Sequence, residues 1–453
     1  MFKKFTNACV NLVQRFLPDA FIFCIVLTMI VFVAVIPVTG MNPLQVAQCW
    51  GNGIWELLAF SMQMALVLVL GTAFANAPAV KRLIVRLACV PKKPTQAIVF
   101  VTVVSMLCCW LNWGFGLVVG AILAKEIAKK VPGVDYRLLI ASAYSGFVVW
   151  HGGISGSIPL TLASFDESVG TATAGAVTQA IPTSQTIFSP WNLILAAVIV
   201  VVTALLNARM HPDPGHVVTV DPAILSEETI SCKKPDTPAE KLENSSILSW
   251  IIVVLGIVYL GYYFFQSRSL NLSLNIVNLI FLVLGLLFHK TPISYVRAIM
   301  DAAKSAGGII LQFPFYAGIM GMMTGVGPGG VSLAGAVSNF FVRISNPWTF
   351  PVFSFLAAGV VNFFVPSGGG QWAVQAPIMM PAGALLGVHP AITGMAIAWG
   401  DAWTNMLQPF WALPALGIAG LGARDIMGYC AIVLIVTGLI ICGGFLFLVP
   451  LFV

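Results

Sequence analysis

Apolar runs of roughly membrane-spanning length recur along the chain, separated by polar or basic stretches. In order, they predict helices at about 19–37, 57–77, 138–158, 190–208, 247–265, 272–288, 307–326, 391–412 and 426–448. Two more apolar stretches, 96–124 and 350–387, break near their middles. The first breaks at Asn112-Trp113-Gly114-Phe115-Gly116, the second between Asn362 and Trp372. Within the second, Pro366 removes a backbone donor and blocks the turn before it. Gly368, Gly369 and Gly370 then loosen the backbone and allow another group to approach closely. Open backbone at membrane depth is tolerated only where it is buried in protein or lines a cavity. Two predicted helices are interrupted too: 138–158 at His151 to Ser157, and 391–412 at Trp399 to Asn405. The expected fold is an all-α polytopic membrane protein with about nine transmembrane helices and two re-entrant hairpins.

Between the runs, residues 1–18 suit an amphipathic interfacial helix, with Phe2, Phe5, Val10, Val13 and Phe16 set against Lys3, Lys4 and Arg15. The stretch before Glu56 reads as a loop without Lys or Arg, 160–189 as a polar loop, and 327–348 as a polar-tipped segment. Residues 209–246 read as a hydrophilic cytoplasmic linker, and 247–271 as a connecting helix. Basic side chains gather on the cytoplasmic side of membrane proteins. If both broken stretches crossed the membrane, the 22 Lys and Arg would divide evenly between the faces. If both enter and return, only Arg268 and Arg343 fall outside. This selects the hairpins, with the N-terminus cytoplasmic and the C-terminus periplasmic. The first hairpin opens from the cytoplasm and the second from the opposite face.

Landmarks recur at one offset. Asn112 and Asn362 are 250 apart, as are Pro78 and Pro328; Trp150 and Trp399 are 249 apart. With the topology above, this predicts an inverted repeat, 19–208 against 272–453, whose broken helices meet near the midplane as in secondary transporters. Composition agrees: 59% hydrophobic and 8% charged excludes an ordinary soluble domain. The net charge of +6 fits loops at an anionic membrane surface and gives no nucleic-acid patch. The nine cysteines form no CxxC and suit small core positions.

The candidate chemistry lies at the breaks. Helix N-termini there offer free N–H groups and a positive dipole end to an anion. Asn112, Ser155, Ser157, Asn362, Ser367, Gln371, Thr404 and Asn405 add neutral hydrogen-bonding groups, and no Arg is present. A single carboxylate therefore fits better than a di- or tricarboxylate. Trp113, Phe115, Phe363, Phe364 and Trp372 could wall an apolar pocket beside Gly114. The glycine-rich second tip is the better carboxylate holder, and the aromatic first tip suits the apolar tail. Asp401 and His151 occupy nearly matching places in the two halves. Ionisable groups inside membrane segments are costly and point to function. Asp401 is a candidate for coupling to H⁺ or Na⁺, the latter with backbone carbonyls, and His151 for relaying a proton near neutral pH. Neither a phosphate loop nor a hydrolase triad is present, so an enzyme is not expected.

Leu111 to Gly116, Trp150 to Ser157, and Asn362 to Trp372 with Gln375-Ala376-Pro377 resemble the bacterial short-chain fatty acid transporter family. The resemblance covers nearly the whole chain. It implies an inner-membrane carrier for monocarboxylates such as butyrate or acetoacetate, without a cofactor. That family is similar to a wider ion-transporter superfamily, which implies a homodimer with a scaffold domain and a moving transport domain. The Ser-Asn-Thr hairpin signature of the dicarboxylate members is missing from both tips.

Overall fold

The fold is taken from a computed structural model that describes residues 20–164, 167–219, 236–267, 272–362, 365, 367–407 and 411–452. The expected interfacial helix at 1–18 lies outside these residues, as do Phe363, Phe364, Pro366 and the middle of the linker. The described chain is all-helical, without strands.

The first part holds α1 (Ala20–Thr39), α2 (Pro43–Gly53), α3 (Leu58–Ala75), α4 (Pro78–Leu87), α5 (Pro94–Leu111) and α6 (Trp113–Lys130). It continues with α7 (Tyr136–Tyr144), a 3-10 segment (Ser145–Gly152), α8 (Ser157–Ala163), α9 (Glu167–Ala172) and α10 (Pro190–Arg209). After α11 (Pro238–Glu243) come α12 (Ser246–Ser267), α13 (Leu274–His289), α14 (Pro292–Ala303), α15 (Gly307–Thr324) and α16 (Leu333–Ile344). The chain ends with α17 (Phe350–Asn362), α18 (Gly368–Leu385), α19 (Pro390–Thr404), α20 (Ala412–Ala419) and α21 (Ala423–Gly443).

Seven described helices or helix pairs are long and apolar enough to span a membrane. They include α5, expected as a hairpin arm, and exclude α19, which stops after 15 residues. The α1 and α13 runs are apolar but shorter. The stretch expected as a loop before Glu56 contains α2. Asn42 caps it, and Gln45 closes a reciprocal capping box, a local signal that apolar-run counting overlooks. The polar-tipped segment likewise contains α16, capped by Ser332.

Two pairs of helices fold back on themselves. Asn112 alone joins α5 to α6, and the two arms pack closely. Their crossing needs Gly116, because a Cβ there would lie 2.3 Å from Cys109 N. The second pair, α17 and α18, is joined by 363–367. The interrupted helices sit against these pairs. The 3-10 segment packs on α5, and α19 packs on α17 more extensively than any other described pair. The 3-10 segment and α19 also touch each other in the interior. The expected break at Trp399 to Asn405 lies later than the sequence suggested, because α19 runs unbroken through Trp399–Thr404 and ends at its cap, Asn405. The break in the first interrupted helix starts at Ser145, earlier than the glycine cluster suggested. By contrast α12 is largely exposed, with Ile251, Leu255, Val258, Tyr262 and Phe265 facing outward, as suits a lipid-facing helix.

Candidate functional site

Four backbone ends converge where the tips meet the interrupted helices. At the first tip, Asn112 Oδ1 accepts the Phe115 N–H at 2.9 Å and caps α6. The next N–H, on Trp113, donates to Ser155 Oγ at 3.0 Å. Gly114 packs against the α3 backbone at Leu68. Phe115 turns away and stacks on Phe74 at 4.9 Å, so it is ordinary packing.

At the second tip, Ser367 caps α18 by accepting the Gly370 N–H at 3.4 Å. Gly368 must be glycine: a Cβ would lie 2.4 Å from Ser157 Oγ, 2.7 Å from His151 Cε1 and 2.9 Å from the Trp150 ring. Gly369 packs equally tightly against Phe60 and Phe313, and Gly370 against Tyr316. Gln371 points elsewhere. Its amide nitrogen donates to Ala358 O and Gln375 Oε1, both at 2.8 Å, so it braces α18 against α17. Asn362 reaches out of its hairpin. Its Nδ2 donates to Asp401 O, Thr404 Oγ1 and Asn405 Oδ1, each at 3.0 Å, and so closes the C-terminal end of α19.

Between the tips lies a small cavity of about 20 Å³, which on the same measure holds about one water. Ser157, Ser367, Gly368 and Gly369 supply the polar part of its lining. Trp113, Phe147, Trp150, Trp411, Phe313, Met64 and Ile309 form the rest. The Trp113 ring lies 4.9 Å from Trp411 and 5.8 Å from Trp150. No charged side chain lines the cavity among the described residues. A larger opening of about 210 Å³, lined by Glu56, Gln63, Thr161, Ser164 and Asn275, is bounded by Phe60 and Trp372. Gly369 touches Phe60, and Phe60 lies 5.9 Å from Phe313, so these rings stand between the opening and the cavity. Partial burial pushes the Glu56 carboxyl above its usual range.

Beside the cavity, His151 Nδ1 lies 2.8 Å from Asp401 Oδ2, with both residues almost fully buried. His151 Nε2 accepts the Ile158 N–H at 3.1 Å and lies 2.9 Å from Ser157 Oγ. The structure thus brings Trp113, Ser157, Ser367, Gly368 and Gly369 to the cavity, with the His151–Asp401 pair next to it. Asn112, Gly114, Ser155, Gly370, Gln371, Asn362, Thr404 and Asn405 serve as braces around it, and Trp372 faces the outer opening. Several contributors escaped the sequence reading, Met64, Ile309 and Phe313 of the cavity lining among them. Phe147 and Trp411 lie outside the broken motifs. Asn192, from α10, accepts the Trp399 indole N–H at 2.9 Å and donates to Gly152 O at 2.9 Å, tying α19 to the 3-10 segment. A lone Asn at the start of an apolar run was the available signal.

A family profile described as short chain fatty acid transporter matches residues 1–448. The chain belongs to the short-chain fatty acid transporter family. A protein named as a short-chain fatty acid transporter in Escherichia coli (strain K12) is 46% identical over 447 residues, 98% of this chain and 99% of its own length. A protein of the same name in Haemophilus influenzae is 42% identical over 453 residues, 99% of this chain and all of its own length. Among solved structures, the YdaH transporter of Alcanivorax borkumensis superposes with a TM-score of 0.55 at 14% identity, covering 95% of this chain and 97% of its own. MtrF of Neisseria gonorrhoeae, from a class of antimetabolite efflux pumps, gives 0.53 at 15% identity, covering 97% of each chain. At such identities the likeness concerns the fold alone. As a member of a membrane-transporter family, the protein is not an enzyme.

Proposed function

We propose that this chain is a secondary active carrier of short monocarboxylates of butyrate or acetoacetate size, working by alternating access as a symporter. The observation that carries this reading is the small cavity between the tips, lined by two hydroxyls, a helix N-terminus and aromatic rings. The carboxylate sits at Ser367, Ser157 and the first N–H groups of α18, where backbone donors and the helix dipole favour an anion. The tail lies among Trp113, Trp150 and Trp411. A cavity of about 20 Å³ is too small for butyrate, so the tips must separate to admit it. The hairpins would move as rigid bodies with the interrupted helices against the remaining scaffold. Support for two inverted repeats comes from Asn112 and Asn362, each at the end of its hairpin's first arm. The carrier is placed in the bacterial inner membrane as a homodimer, N-terminus cytoplasmic and C-terminus periplasmic.

The coupling ion is H⁺ or Na⁺, with Asp401 the buried acid beside the cavity. A dicarboxylate carrier is a weaker reading, because a second carboxylate would meet no basic side chain in the described lining. Uptake of labelled butyrate and succinate into proteoliposomes tests both. Accumulation of butyrate alone under an imposed proton or sodium gradient is expected. Equal accumulation of succinate, or no gradient-driven uptake, sinks the monocarboxylate symport reading.

A further inference from the structure

The surroundings of the His151–Asp401 pair settle which atom is left to take a proton. The Ile158 backbone N–H lies 3.1 Å from His151 Nε2. An amide N–H can only donate, so Nε2 presents its lone pair. The imidazole proton therefore sits on Nδ1 and is donated to Asp401 Oδ2, 2.8 Å away. In this arrangement the pair carries one negative charge, on Asp401. Placing a further proton on Nε2 would set it against the Ile158 N–H. The other acceptor is Asp401 Oδ1, which is buried and has no hydrogen-bond partner among the described residues. A carboxylate oxygen left so is costly, and a proton on it relieves the cost.

We propose that the coupling proton of this carrier binds at Asp401 Oδ1, and that His151 is a positioning residue locked in one tautomer that carries no transported proton. The proposal rests on the carrier reading above and deepens it. The pair connects to the cavity through Ser157, which both lines it and lies 2.9 Å from His151 Nε2. Ile158 alone can hold Nε2, so the Ser157 hydroxyl is able to turn its proton toward a bound carboxylate. A substrate anion there sits close to the Asp401 charge in a low-dielectric interior and is repelled by it. A proton on Oδ1 removes that repulsion. Each ligand thus raises the affinity for the other by the same factor, commonly about 5–150-fold for such couplings. One proton accompanies one monoanion, and the loaded carrier is neutral relative to the empty one.

The ionisable groups around this pair are few among the described residues. The elements packed against α19 are α17, α18, α8, the 3-10 segment and α21. Of these, α17, α18 and α8 carry none, and the 3-10 segment carries His151. Tyr144, just before that segment, donates its hydroxyl to Asn405 O at 2.8 Å. The α21 helix carries Arg424, Asp425, Tyr429, Cys430 and Cys442, with Asp425 engaged by Arg137 at 3.0 Å.

The full-length protein in nanodiscs, titrated by infrared difference spectroscopy, tests the site without any substrate. Subtracting the Asp401→Asn titration from that of the wild type should leave one protonated-carboxyl band, because Glu56 and the other carboxyls titrate in both. In His151→Phe the carboxyl carbonyl loses its donor, and the band should move to higher wavenumber. In His151→Asn, which keeps an amide donor near the place of Nδ1, it should return. In proteoliposomes, Asp401→Asn should lose accumulation driven by a pH gradient, and His151→Asn should retain it. Protonated-carboxyl bands that are identical in the wild type and Asp401→Asn overturn the proposal, as does pH-driven accumulation in that variant or accumulation driven by sodium alone. A wild type that shows the band without any butyrate exchange would keep the proton site and defeat the carrier reading instead.

Discussion

The two hairpin tips start from the same amide and use it in opposite ways. Asn112 is the whole connection between α5 and α6, and it spends its oxygen on capping the helix that follows. The second connection runs through 363–367, and Asn362 ignores its own hairpin to hold the C-terminal end of α19. The first tip is capped by its own Asn, with the Trp113 N–H held by Ser155, and offers the cavity an indole, Trp113. The second tip is capped by Ser367, is tied to α19 through Asn362, and offers a helix N-terminus and two glycines. A self-capped apolar tip suits a wall. An externally held tip with open N–H groups suits a ligand whose charge must be gripped and released. The division of labour proposed for carboxylate and tail follows from this difference in wiring.

The largest effect is expected from filling the second tip. In Gly368→Val the first added carbon already lies 2.4 Å from Ser157 Oγ and 2.7 Å from the His151 ring. Overpacking at such a site costs about 1–3 kcal/mol, and here it falls on the contact between α18 and the cavity. Butyrate uptake should drop roughly 10–100-fold while the protein still purifies as a folded species. Uptake at the wild-type rate would remove the second tip from the substrate path and break the comparison at its main point.

How much of this was legible in the sequence varies with the kind of signal. Apolar runs and their charged borders located most of the long helices, because burial in lipid acts on whole segments. The break at Asn112 was visible because glycines and an Asn interrupt an apolar run. So was the nearness of His151 to Asp401 in the repeat, though not that the two touch. The short helices α2 and α16 were hidden because their signal is a cap rather than a period. The roles of Asn362, Gln371, Thr404 and Asn405 were hidden for a different reason. A neutral polar side chain beside a break serves equally well as a ligand-holder or as a brace, and only the partner decides. Here the partners are mostly backbone carbonyls and one another. Phe147 and Trp411 were invisible because nothing local separates a cavity wall from core.

A smaller effect, on selectivity, tests the first tip. Trp113 is buried against Trp411, Trp150 and Phe147, and Trp113→Ala replaces the indole with space. One methylene in an apolar pocket is worth about 10–200-fold in discrimination at best, so a looser pocket should favour longer chains. Competition assays are expected to show hexanoate gaining on acetate by roughly tenfold, within that range, with the carboxylate requirement unchanged. A uniform loss at every chain length would mean that Trp113 supports the fold rather than reads the tail.

The smallest effect separates the two asparagines by stability alone. Asn112→Ala removes one helix cap, and cap losses typically cost ~1 kcal/mol. Asn362→Ala removes the donor to three acceptors on α19 at once: Asp401 O, Thr404 Oγ1 and Asn405 Oδ1. Buried acceptors left without donors cost about 1–3 kcal/mol each, though Thr404 Oγ1 can still donate to Gly400 O at 3.3 Å. Asn362→Ala should therefore unfold at clearly lower temperature than Asn112→Ala in detergent. Because the 3-10 segment packs on α19, it should also loosen exchange-protected amides there. Equal melting temperatures, with protection lost only within each hairpin, would show both amides acting locally. The second tip would then be as self-contained as the first, and its mobility during transport would need a source other than α19.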